Sequence, residues 1–154
     1  LTDVTGVQTC ALPILKVRDR LRGLADNSPN NIYYYDGFNE PLSKLVLAAS
    51  HFCLVPSVFE PCGLIDYEAA LLGCIPIVRK TGGLTKTFPY SFGYPWYDQD
   101  DYWGEANRLA KVIDYAVTEY HDNDDVYQKR VKGCMGLDTS WEGSVERYFK
   151  LLKI

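Results

Sequence analysis

The chain has 154 residues, of which 47% are hydrophobic and 23% charged, with a formal net charge of −4. That is length for one domain with one core and too apolar a composition for a disordered chain, while no apolar run approaches the roughly 20 residues that cross a bilayer. Scattered basic residues on an acidic background exclude a phosphate-tracking nucleic-acid binder, so neither a nucleic acid nor a membrane is expected as partner.

In chain order, the first segment to settle is Val4 to Ile14, VTGVQTCALPI, which matches one reading frame of a widely used sequencing adapter. It has no basic start and no long apolar stretch, so it does not resemble a signal peptide. Residues 1–14 are therefore expected to be foreign and without order, and the domain itself to start at Leu15. Leu15 to Leu24 has helical periodicity with basic residues, and Asp26 to Asn31 is a loop of turn formers. Asn31 to Tyr35 predicts a short aromatic strand, Leu42 to Ala49 a helix, His51 to Val55 a buried strand, Gly63 to Leu72 a helix and Ile75 to Arg79 a strand. This βαβαβ order predicts an α/β fold: a Rossmann-like parallel sheet with flanking helices and right-handed crossovers. Past Gly83 comes an aromatic stretch rich in Gly and Pro, FPYSFGYPWYDQDDYWG, then three amphipathic helices at Glu105 to Tyr120, Asp124 to Met135 and Ser140 to Leu152. The five cysteines, Cys10, Cys53, Cys62, Cys74 and Cys134, show no CxxC spacing; Cys10 falls in the foreign segment, and the other four are read as reduced thiols of a cytoplasmic protein.

Both strand-to-helix turns carry chemistry. Glu60 lies after the His51 to Val55 strand and just before a helix start, where open parallel sheets bind ligands and where helix N–H groups attract anions. Gly63 lets a ligand approach, and the N–H groups of Gly63, Leu64 and Ile65 are first-turn donors without helical partners. Glu68 follows after residues 61–67, two helical turns on, so both carboxylates are candidates for one elongated ligand. The bland alternatives are a helix-capping role for Glu60, worth about 0.3–1 kcal/mol, and a solvated helix carboxylate for Glu68. Thr81, Gly82 and Gly83 form a second glycine-rich turn, either a cleft loop or a plain connection, and Arg79 and Lys80 before it either neutralise a phosphate or are solvated. A nucleophilic Cys62 has no His or Asn arrangement behind it, since His51 lies on a strand and His121 at a helix end.

The blocks YYYDGFNEPLSKLVLAASHFCLVPS, EPCGLIDYEAALLG, IPIVRKTGGL and DTSWEGSVERYFKLL, in that order, resemble the carboxy-terminal domain of bacterial glycogen synthases and plant starch synthases. These are retaining glucosyltransferases of the GT-B fold. The resemblance implies transfer of glucose from ADP-glucose, ahead of UDP-glucose, to the non-reducing end of an α-1,4-glucan, with no metal, since helix dipoles and cations replace one in this fold, and no cofactor, since the nucleotide sugar is a substrate. It assigns Glu60 to the donor glucose hydroxyls, Cys62 to Ile65 to the donor through their backbone, and Phe38 of the Gly37-Phe38 turn to stacking on the base. Glu68 departs from the commoner synthase pattern and resembles the ribose-binding glutamate of the wider GT-B group. The amino-terminal domain of the family, with its own Lys-Thr-Gly-Gly-Leu motif, and the upstream Arg and Lys are missing here, so residues 15–154 are expected to be an incomplete donor-binding domain, inactive alone. A plant or algal source would place it in a plastid. Two alternatives stay open: another GT-B transferase with a different acceptor, and a Rossmann-like binding module without catalysis.

Overall fold

The computed structural model describes residues 11–86, 89–95 and 101–153. Its elements are α1 (Ala11–Asn27), α2 (Glu40–Ala49), β1 (Phe52–Val55), α3 (Ile65–Leu71), β2 (Ile75–Lys80), a 3₁₀ turn (Gly82–Lys86), β3 (Phe92–Pro95), α4 (Tyr102–Asp122), α5 (Asp124–Met135) and α6 (Trp141–Leu152). Of the segment set aside as foreign, Val4 to Cys10 lies outside the described residues, whereas Ala11 to Ile14 forms the first turn of α1.

The sheet is three-stranded and parallel, in the order β1-β2-β3, with Phe52 opposite Ile75 and Ile77 opposite Phe92. Crossovers of this kind require a helix or long connection on a sheet face, and both faces are covered. β2 is central, and its residues Ile75 to Arg79 are all buried. On one face Ile75, Ile77 and Phe92 pack with Ala116 of α4 and with Tyr127 and Cys134 of α5; on the other, Val55 and Val78 pack against Leu84. Leu47 of α2, Ala69 of α3 and Cys74 form a third cluster. The abundant tyrosines have a structural use here: Tyr120 and Tyr127 meet edge to face at 5.0 Å, and Phe52 stands edge-on to both.

An arginine ties this face together. Arg130 Nε and Nη2 donate to Glu119 Oε1 and Oε2 at 2.7 and 2.9 Å, and Nη1 donates to the Tyr90 carbonyl at 2.9 Å. Its guanidinium lies 4.1 Å above the Phe92 ring, so α4, α5 and the approach to β3 share one anchor.

Two sequence expectations are corrected. Asn31 to Tyr35 is not a strand: residues 32–36 run without a ladder partner, and Tyr33 is exposed. Aromatic residues fit a pleated surface only where a neighbouring strand supplies one. The third strand is instead Phe92–Pro95, inside the Gly- and Pro-rich stretch, whose residues 88 and 96–100 lie outside the described ones. The Glu105 helix begins three residues early, at Tyr102, where the Asp101 side chain accepts from the Gly104 N–H at 2.9 Å. Among the described residues no helix is long and apolar enough to cross a membrane.

Candidate donor-binding site

β1 ends at Val55, and residues 56–64 carry the chain over the carboxyl edge of the sheet into α3. Glu60 sits in that turn, partly buried. Its carboxylate accepts from the Ser57 hydroxyl at 3.4 Å (Oε2) and from the Gly63 N–H at 3.3 Å (Oε1). The Gly63 donor foreseen for a ligand is therefore engaged by Glu60, which closes the turn on itself and fixes the orientation of the carboxylate. Gly63 adopts φ 72°, a left-handed conformation that glycine takes without steric cost, and a Cβ there would lie 2.7 Å from Leu84 Cδ2.

Leu64, the residue before α3, and Cys62 are exposed, while Ile65 is partly buried against the Val55, Val78 and Leu84 cluster. Phe38 is 59% exposed, immediately before Asn39, whose side chain caps α2 by accepting from the Leu42 N–H at 3.0 Å. It is not a core aromatic; it lies beside the start of α2, more than half exposed.

Glu68 is exposed. Because α3 begins only at Ile65, no helical phase relates Glu68 to Glu60. Glu68 lines a groove of about 410 Å³ with Leu64, Tyr67, Ser140 and Arg147, between α3 and the start of α6, and Glu60 does not line it. Leu64 joins the two places, since it belongs to the groove and to the turn after Glu60. Lys44 of α2, bonded to Glu40 at 2.6 Å, also feels the Glu68 charge; both act to raise its pKa, Glu40 the more.

The second turn packs on the first. Thr81 Oγ1 donates to the Val58 carbonyl at 3.3 Å, and the Gly83 N–H donates to the Glu60 carbonyl. Arg79 is neither solvated nor turned to a phosphate. It is buried, with Nε 3.3 Å from Glu105 Oε2, and Glu105 is bonded in turn to Arg108 at 2.8 Å. Asp66 escaped the sequence reading: it is 1% exposed, in the first turn of α3, with Oδ1 beside Gly63. Burial first, and the Asp66 charge second, push the Cys53 thiol up to about 11.

Solved structures share this fold. The catalytic domain of starch synthase IV from Arabidopsis thaliana, solved bound to ADP and acarbose, matches 90% of the chain with TM-score 0.69 and 28% identity, over 30% of its own length. Sucrose-phosphate synthase from Thermosynechococcus elongatus matches 90% with TM-score 0.59 at 23% identity, over 34% of its length, a likeness of fold. The parallel sheet with its flanking helices thus has the fold of part of a GT-B glycosyltransferase.

Among curated proteins, the glycogen synthase of Fusobacterium nucleatum is 39% identical over 126 residues, 76% of this chain, and that of Bacillus anthracis is 38% identical over 138 residues, 84% of it. The glycogen synthase of Desulfitobacterium hafniense is 34% identical over 137 residues. The chain is homologous to the glycogen synthases, and it spans 26–28% of the length of these relatives. No model of a protein family matches it.

Proposed function

We propose that residues 15–154 are the donor-nucleotide part of a retaining α-glucan synthase, which transfers glucose from ADP-glucose to the non-reducing end of an α-1,4-glucan and needs a second domain of the same protein to close the cleft. The observation that carries this reading is the Glu60 turn: a partly buried carboxylate, oriented by Ser57 and Gly63 at the carboxyl edge of β1, in a chain homologous to glycogen synthases. A carboxylate held in this way is suited to accept hydrogen bonds from sugar hydroxyls, and one that needs no reorganisation as charge develops on the sugar stabilises the transition state more than the ground state. The exposed Phe38 ring is available to stack on a nucleobase, and the exposed Glu68 carboxylate suits a vicinal diol such as ribose. ADP and acarbose in the starch synthase IV structure support an adenine nucleotide and a glucan as ligands. No cofactor enters the scheme.

The test is steady-state glucose transfer to glycogen by the full-length protein, with ADP-glucose and UDP-glucose compared. Glu60→Ala is expected to lower kcat/KM about 10²–10³-fold, as the loss of one preorganised transition-state contact does. Full activity in that variant would remove the centre of the reading.

A further inference from the structure

The sequence leaves the glycine-rich turn after β2 open as a cleft loop or a plain connection, and in the structure its atoms are committed to another part of the protein. The Gly83 N–H donates to the Glu60 carbonyl and Thr81 Oγ1 to the Val58 carbonyl. A Cβ on Gly82 would collide with that same Glu60 carbonyl, and one on Gly83 with the carbonyl and Cα of Cys62. Both obstacles are main chain, so no rotamer change relieves them, and the two turns are in contact backbone to backbone. Leu84, wholly buried, then fills the space under Gly63. The turn has a base as well: the Thr81 N–H donates to the Arg79 carbonyl at 2.9 Å, and the Arg79 side chain is ion-paired with Glu105 in the first turn of α4.

We propose that Thr81, Gly82 and Gly83 are positioning residues, which hold Glu60 in register through the main chain without touching the donor. Glu60 is gripped from two sides, its carboxylate by Ser57 and Gly63 of its own turn and its peptide carbonyl by Gly83 of the next. Glycine is required at 82 and 83 because the Glu60 and Cys62 carbonyls occupy the volume a side chain would need. This inference rests on the reading of Glu60 as the donor-sugar contact, and displacement of such a group by about 1 Å costs about 10²-fold in rate.

The experiment is a set of mutant cycles in the full-length protein, read as kcat and KM for glucose transfer from ADP-glucose to glycogen. Gly83→Ala is expected to lower kcat/KM about 10²-fold, mainly in kcat, when Glu60 is present, and by less than about twofold in the Glu60→Ala background. Thr81→Val keeps the shape and is expected to cost about fivefold, with Thr81→Ser restoring activity and the loss again vanishing without Glu60. A turn that merely supports the fold would lower activity by the same factor in both backgrounds, and that result overturns the proposal. So does wild-type activity in both Gly83→Ala and Thr81→Val. Should Gly83→Ala fail to fold, the Thr81 pair decides alone. Full activity in Glu60→Ala itself is a different outcome, which removes the donor-contact reading instead.

Discussion

Replacing Arg130 by Met keeps the aliphatic stem and removes the guanidinium. Three losses follow: the bidentate bond to Glu119, the bond to the Tyr90 carbonyl, and the stacking on Phe92. Glu119 is only 4% exposed, so its carboxylate is left buried without its charge partner, a situation that costs about 3–5 kcal/mol. The cation–π contact adds about 0.5–1 kcal/mol. Because all three involve one group they are not strictly additive, and about 4 kcal/mol is the working figure. At about 2–4 °C per kcal/mol for a chain of this size, the thermal midpoint falls by roughly 8–16 °C. Arg130→Met/Glu119→Leu is expected to recover most of the loss, since removing both members of a buried pair leaves no stranded charge. Urea and thermal unfolding of the chain, followed by circular dichroism, measures both. A cost for Arg130→Met below about 1 kcal/mol, or a double variant no more stable than the single, would refute the reasoning.

Glu68→Ala in the full-length protein is expected to raise KM for ADP-glucose about tenfold with kcat nearly unchanged, because a ribose contact is the same in ground and transition states; an equal fall in kcat and kcat/KM on steady-state assay would contradict the ribose role. Burial pushes the Cys74 thiol up to about 12 and those of Cys53 and Cys134 to about 11, so at pH 8 alkylation followed by mass spectrometry should label exposed Cys62 and spare these three until denaturant is added. The same shifts fix the sign of a pH effect: the folded thiols ionise later than the unfolded ones, so the stability they contribute is whole below about pH 9 and is lost as pH rises toward 11, visible in urea midpoints taken across that range. Gly63→Ala is expected to cost at least about 1–2 kcal/mol in urea unfolding, since φ 72° is unfavourable for alanine and its Cβ meets Leu84; a neutral effect would show that the turn relaxes.

The βαβ centre of the fold was legible because its signals are local. Val55 and Pro56 close an apolar run, Gly63 punctuates the turn, and the helix and second strand follow in their own periods. The place of Glu60 came with them. β3 was hidden because Phe92 and Tyr94 supply the buried face while Gly93 and Pro95, residues depleted in strands, alternate with them. The aliphatic stem of Lys80 lies across Gly93, a contact that only the fold reveals. The same holds for charge. Nothing near Arg79 in the sequence announces Glu105, and an aspartate in the first turn of a helix, as Asp66 is, ordinarily faces water. The spacing of Glu60 and Glu68 carries no helical phase, because Glu60 precedes the helix that holds Glu68.

None of the 12 residues of α6 is buried, and Trp141, Tyr148, Leu151 and Leu152 all stand exposed. Opening this helix therefore breaks its own hydrogen bonds and loose contacts with the groove above α3, and uncovers no core side chain. In hydrogen exchange its amides should form a separate, weakly protected unit, opening at a free energy far below that of the β2 amides, which need global unfolding to exchange. A segment of this kind can be lifted and set down again without disturbing the Glu60 turn, so any movement of α6 draws on its own docking energy and leaves the sheet as it was.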